Sequence, residues 1–217
     1  MRNKLAVKIC GMNSQSAIDA AIASGVDYLG FVFFPPSPRS LTPEIASRLM
    51  EKRSDDFKVV AVVVNPSDKL LEEITYHLAP DIFQLHGSET AEDIISIKQK
   101  FNTKIIKAIK ISEREDFEEV SKFHKVADFL LFDAAAPMNT THSLPGGNGI
   151  SFNWNWLSNA SIEIPWFLSG GLNINNINEA LKTTGAKAVD VSSGVEDKAG
   201  IKNNQKIIEF MKTVRTL

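Results

Sequence analysis

Polar and small residues recur along this chain at the ends of short apolar runs, and their types carry chemistry. Cys10 follows Leu5-Ala6-Val7-Lys8-Ile9, Arg39 sits in a proline-rich loop, and Gln84 and His86 close Ile82-Phe83-Gln84-Leu85-His86. Asp133 ends Phe129 to Phe132, Gly170-Gly171 follow Phe167-Leu168, and Ser192-Ser193 follow Ala188 to Val191. The set holds an acid, a thiol that can become a base, and a guanidinium whose planar fork suits a carboxylate. The glycines and serines at the last two exits leave backbone N–H groups for an anion, an arrangement that holds phosphate. Each residue also has a plain reading. A cysteine ending a strand is equally a small buried hydrophobe, an aspartate before a loop a cap, and a loop arginine a solvated charge.

Stepping outward, the runs that carry these residues alternate with segments of helical spacing. Between the last two exits, Ile174, Ile177, Ala180 and Leu181 recur as on a helix, and Gly185 is placed to stop it. Strand, helix, strand in that length is a βαβ unit with parallel strands. Upstream, Asn13 or Ser14 is placed to cap a helix bearing Ile18, Ala21 and Ile22. Tyr28 to Phe34 and Val59 to Val64 read as strands, and Thr42-Pro43 and Ser67 as helix starts. Thr90 to Lys100 reads as a helix, Ile105 to Ile109 as a strand, and Ser112-Glu113-Arg114-Glu115 as a capping box for a helix bearing Phe117, Val120 and Phe123. Asn153 offers a cap for a short helix over Trp154 to Leu157, and a last helix from Asn204 to Val214 carries Ile207, Ile208 and Met211 as its buried stripe. Eight strands and eight helices in alternation predict one α/β domain over 1–217, a single-domain (β/α)8 TIM barrel. The competing open, doubly wound sheet is disfavoured because no Rossmann glycine fingerprint follows the first strand. In such a barrel the chemistry gathers where these polar residues fall, at the C-terminal ends of the strands.

Bulk properties exclude more than they identify. A net charge of −2 from 24 basic and 26 acidic residues leaves no basic footprint for nucleic acid. No apolar run approaches bilayer length, and the charged Met1 to Lys4 are followed by no signal-peptide core, so no membrane partner is expected. One cysteine makes no internal disulfide, which fits a reducing cytoplasm. The histidines His77, His124 and His142 fit no metal spacing and read as surface residues.

Seven motifs, in order and at strand ends, resemble those of the phosphoribosylanthranilate isomerase family. They are Lys8-Ile9-Cys10-Gly11; Gly30-Phe31-Val32-Phe33 with Ser37 and Arg39; Gln84-Leu85-His86-Gly87; Leu131-Phe132-Asp133; Gly146-Gly147-Asn148-Gly149 with Phe152 and Trp154; Leu168-Ser169-Gly170-Gly171-Leu172; and Asp190-Val191-Ser192-Ser193-Gly194-Val195-Glu196. The resemblance spans nearly the whole chain. It implies an aldose-ketose isomerase of tryptophan biosynthesis, converting N-(5-phosphoribosyl)anthranilate to 1-(2-carboxyphenylamino)-1-deoxyribulose 5-phosphate by an Amadori rearrangement with no metal or organic cofactor. It also implies Asp133 as the acid and Cys10 as the base, with Arg39 on the anthranilate carboxylate. Gln84, His86, Gly147 and Asp190 would contact substrate, and Gly170, Gly171, Ser192 and Ser193 the phosphate. The implied protein is a cytoplasmic monomer or homodimer.

The chemistry asks for opposite shifts at the two key groups. The acid must be kept protonated by an apolar or anionic setting, and the thiol must be pushed toward thiolate, which a helix N-terminus behind Gly11 would favour. Strand alternation further predicts that Lys8 and Asp190 pair inside the barrel beneath the thiol. The sequence departs from the family pattern at Asn153 and Asn203, where aspartate is usual, and in a longer Ala134–Pro145 loop with Thr140, Thr141 and His142 inserted. Asn caps about as well as Asp. The stretch from Asp133 to Phe152 has no periodicity and contains Pro137, Pro145, Gly146, Gly147 and Gly149, so it reads as a loop or lid. The rival readings are a non-catalytic phosphosugar-binding barrel, an epimerase and an indole-glycerol-phosphate synthase. The last two want metal-binding histidines with paired acids, or lysine and glutamate at the mouth.

Overall fold

The computed structural model describes residues 4–51, 53–135, 146, 149, 151–158 and 162–217. Eight strands pair in chain order into a closed parallel barrel. They are β1 (Ala6–Cys10), β2 (Tyr28–Phe33), β3 (Lys58–Val63), β4 (Ile82–Leu85), β5 (Lys104–Ile111), β6 (Phe129–Ala134), β7 (Trp166–Leu168) and β8 (Ala188–Val191). Closure is made by β1 against β8, with Lys8 opposite Asp190. These strands form because their runs are aliphatic on both faces, as a parallel sheet covered by helices requires. On β3, Val60 and Val62 point into the barrel while Val59, Ala61 and Val63 join the apolar layer beneath the helices. The same alternation places Cys10, Leu131 and Phe167 inside and Val7, Ile9, Phe132 and Leu168 outside.

Around the barrel lie α1 (Gln15–Ala23), α2 (Pro43–Leu49), α3 (Asp68–Leu78), α4 (Ala91–Phe101), α5 (Val120–Phe123), α6 (Ile177–Thr184) and α7 (Asn204–Thr216). Thr42, Ser67 and Asn203 accept a backbone N–H at the starts of α2, α3 and α7. Thr90 and Asp93 form a reciprocal capping box on α4. A hairpin of β9 (Glu196–Lys198) and β10 (Ile201–Lys202) follows β8 and was not foreseen.

The structure corrects several local expectations. Ser14 occupies the α1 N-cap without a side-chain bond, and Asn13 donates instead to the Gly200 carbonyl. After β5 the carboxylate that folds back is Asp116, not Glu115. With Glu113 at the N-cap, Asp116 is the third residue on, and it accepts from the N–H groups of Ser112 and Glu113. That segment is a 3-10 helix, Arg114–Glu119, leading into the short α5, and Trp154–Trp156 is likewise a 3-10 turn. The expected eight α-helices are therefore not all present among the described residues. Ile174 is exposed and precedes α6, since the Asn173 and Asn176 side chains bond the backbone of that turn first. On α7 Ile208 faces solvent, and Phe210 and Val214 complete the stripe with Ile207 and Met211. His77 lies half-buried beside Glu44, and His124 is half-buried. His142, Thr140, Thr141, Pro137, Pro145 and Gly147, and with them most of the expected lid, lie outside the described residues.

Candidate active site

One pocket at the C-terminal mouth of the barrel brings the separated motifs together. Cys10 ends β1, Gln84 and His86 come from β4 and its exit, and Asp133 from β6. Gly170 and Gly171 follow β7, Asp190 is on β8, and Ser192 and Ser193 follow it, while Arg39 enters from the loop after β2. β1 and β6 are separated by β7 and β8 around the ring, so Cys10 and Asp133 approach the pocket from different sides. Of the residues expected here, only Gly147 falls outside the described ones. Its neighbour Gly146 lies over the acid, where a Cβ would stand 2.6 Å from Asp133 Oδ2 and 2.7 Å from His86 Cε1.

The glycines and serines build a backbone-lined corner. Gly170 and Gly171 have φ of 90° and 63°, a left-handed pair that folds the β7 exit back over the mouth. Gly194 lets the β8 exit close against it, for a Cβ there would fall 1.9 Å from the Leu172 carbonyl oxygen. The two exits thus form one corner at the end of β7 and β8.

Asp133 is buried, with Oδ1 accepting from the Ala134 N–H at 3.1 Å and Oδ2 3.3 Å from His86 Nε2. The Gln84 amide nitrogen lies 3.2 Å from His86 Nδ1, and when it donates there the neutral ring carries its hydrogen on Nε2, facing Asp133. Gln84 Oε1 and His86 Nε2 have no hydrogen-bond partner among the described residues. Both residues line the pocket, with these two atoms themselves buried. The turn carrying His86 is held from behind. Lys107 donates to the Gly87 carbonyl and to Glu89, and Glu89 accepts the N–H groups of Gly87 and Asn65.

The expected pairing beneath the thiol is present, with Lys8 Nζ donating to Asp190 Oδ1 at 2.9 Å and the lysine side chain fully buried. The expected shift of the thiol is not. Burial pushes Cys10 above its ordinary value and Asp190 adds to this, against the opposing charges of Lys8 and Lys202. No helix start lies behind Gly11, since α1 begins only at Gln15.

Arg39 has a partner within the chain that the sequence did not suggest. Its Nε and Nη2 each donate to a Glu196 oxygen at 2.8 Å, so this edge of the fork already grips a carboxylate of the chain itself. Glu196 also accepts from the buried Lys202 at 2.7 Å. Burial works against the Glu196 charge, yet Arg39 and Lys202 hold its carboxyl below the usual range. Lys202 donates onward to the carbonyl and hydroxyl of Ser192, whose hydroxyl bonds the Cys10 carbonyl. Two cations share one anion, which leaves net positive charge beside the β8 exit. The sequence motif contains Glu196 without pointing to a role for its charge, and nothing in the sequence singles out Lys202. The hairpin that joins them has too short a pattern to be read as strands.

The comparisons agree with this geometry. The family model described as N-(5'phosphoribosyl)anthranilate (PRA) isomerase matches residues 7–213. A curated relative, N-(5'-phosphoribosyl)anthranilate isomerase of Paramagnetospirillum magneticum, is 43% identical over 209 residues, 96% of each chain. The solved phosphoribosyl anthranilate isomerase of Thermotoga maritima superposes with a TM-score of 0.87 at 30% identity, covering 98% of this chain and all of that one. Another solved phosphoribosyl anthranilate isomerase, in complex with reduced 1-(o-carboxyphenylamino)-1-deoxyribulose 5-phosphate, gives 0.84 at 29% identity over 98% of this chain and 100% of its own. A match of that length, at that identity, with the motifs meeting in one pocket, makes this chain a member of the N-(5'-phosphoribosyl)anthranilate isomerase family.

Proposed function

We propose that this chain isomerises N-(5'-phosphoribosyl)anthranilate to 1-(o-carboxyphenylamino)-1-deoxyribulose 5-phosphate, a step of tryptophan biosynthesis, with Asp133 as general acid and Cys10 as general base. The observation that carries the reading is the pocket wall itself, where the Cys10 thiol and the Asp133 carboxyl, from separate strands, border one space beside a corner of glycine and serine backbone.

The reaction needs little else. Asp133 gives its proton to the furanose ring oxygen, the C1–O bond breaks, and the anilino nitrogen lone pair forms a C=N bond. The Cys10 thiolate then takes the proton from C2. The enolamine so formed becomes the ketone by moving its hydroxyl proton to C1. One proton has left Asp133 and one has reached Cys10, so solvent resets the pair after release. A donor and an acceptor on different sides of the sugar suit this order. The phosphate sits in the corner formed by Gly170, Gly171, Ser192 and Ser193, with the net positive charge of Arg39, Glu196 and Lys202 nearby. Arg39, on the pocket wall, lends its charge to the anthranilate carboxylate while Glu196 fixes its orientation, and Gln84, His86 and Asp190 meet sugar hydroxyls. A phosphorylated intermediate is retained by the cytoplasm, and no helix among the described residues is long and apolar enough to cross a membrane. The enzyme works as a monomer or homodimer.

Turnover of phosphoribosylanthranilate by the wild type, Cys10→Ala and Asp133→Asn tests the assignment. Each substitution is expected to lower kcat by about 10²- to 10⁴-fold while the variant still binds the reduced product analogue. Equal turnover in all three would remove both roles, and tight analogue binding with an inactive wild type would leave a binding barrel only.

A further inference from the structure

We infer that Lys8 is a positioning residue whose ammonium favours the Cys10 thiolate against the effect of burial, and that Gly30 is the gap through which the two groups meet. The inference rests on Cys10 being the base. Lys8 and Cys10 are two residues apart on β1 and point into the barrel together. Gly30 lies directly opposite Cys10 on β2. A Cβ placed on Gly30 would stand 3.0 Å from Cys10 Sγ and 3.1 Å from Lys8 Nζ, so the sulfur and the ammonium border the same small space. Any larger residue at 30 would displace one or the other.

The charges around that space are few. Lys8 and Lys202 are positive toward the sulfur, and Asp190 is negative. Lys8 donates one of its hydrogens to Asp190 and has others for the sulfur. Its ammonium stays charged despite burial because Asp190 and Cys10 both favour it. Burial alone would keep the thiol protonated, and Lys8 is the largest influence opposing that. A buried ion pair is not needed for stability as such, since apolar residues of similar size often serve as well. This pair lies where a thiolate needs a counter-ion. The proton accounting is simple: the thiol proton goes to solvent in the molecules that ionise, Lys8 remains protonated throughout, and the thiolate then accepts the carbon-bound proton.

The chain contains one cysteine, so thiolate absorbance and iodoacetamide alkylation of the whole protein read Cys10 alone. Both are followed against pH, without substrate, in the wild type, Lys8→Met, and Lys8→Met with Asp190→Asn, each checked for folding by circular dichroism. In Lys8→Met the ionisation midpoint is expected to rise and alkylation at neutral pH to fall about tenfold. The double variant is expected to recover part of the loss, because the Asp190 charge is gone, and to stay above the wild-type midpoint. An unmoved midpoint in Lys8→Met would overturn the inference, as would a double variant at or below wild type. If Lys8→Met alone does not fold, the double variant decides by the same criterion. A moved midpoint with an active Cys10→Ala would sink the base assignment and leave the Lys8 link standing. An unmoved midpoint with an inactive Cys10→Ala would do the reverse.

Discussion

At the scale of single residues, the site is organised by buried charges that answer one another. Arg39, Glu196 and Lys202 form one set, with side chains at most 4% exposed, and Lys8 and Asp190 another. Removing one member leaves a buried charge without its partner, which costs about 3–5 kcal/mol. Glu196→Gln is therefore expected to lower unfolding free energy in urea by about that amount and to raise KM more than it lowers kcat. A loss below about 1 kcal/mol would show that Arg39 and Lys202 do not depend on it. Reading residues one by one placed Cys10, Asp133, Gln84, His86 and the β7 and β8 exits at one mouth, because alternation along a strand decides which side chains face inward. It did not pair Arg39 with Glu196, because the two are 157 positions apart and nothing local in the sequence joins them.

At the scale of elements, the strands were legible to within a residue or two, since each is a β-branched or aliphatic run between turn residues. The helices were less so. Ile174 and Ile208 fit the helical period yet face solvent, because period alone does not say where a helix starts or which edge of its stripe meets the barrel. An indole-glycerol-phosphate synthase would want lysine and glutamate at the mouth. Lys107 and Glu89 are present next to β4 and β5, but they are spent on each other and on the Gly87 turn rather than on the pocket. The pairing of the β7 and β8 exits makes its own prediction. Gly194→Ala drives a methyl into the Leu172 carbonyl and must spread the corner proposed to hold phosphate. KM for substrate is expected to rise at least about tenfold with the circular dichroism spectrum unchanged, a loss of about 1.4 kcal/mol in binding. An unchanged KM would place the phosphate elsewhere.

At the scale of the molecule, one carboxylate ties both ends of the chain to the start of β2. Asp27 accepts from the Val7 N–H, from Lys4 and from Arg215 of α7, joining the first strand, the second and the last helix. Burial opposes its charge, but these donors hold its carboxyl below its ordinary value. With the folded value depressed, the stabilisation is present above the unfolded value of about 4 and is lost as pH falls through the folded one. Asp27→Asn is expected to reduce stability at neutral pH and to flatten its decline below about pH 4 in urea titrations. An acid limb as steep as the wild type would show that Asp27 does not set it. Closure in strand order is what brings β1 beside β8 and sets β6 across the mouth from them, so the site exists only in the complete ring.

The most direct measurement is a crystal structure of this chain with reduced 1-(o-carboxyphenylamino)-1-deoxyribulose 5-phosphate. The phosphate is predicted on the backbone of residues 170–171 and 192–193, with the sugar chain between Cys10 Sγ on one side and the Asp133 carboxyl on the other. A ligand seated with both groups on one side of the sugar, or with its phosphate away from the β7 and β8 exits, would contradict it.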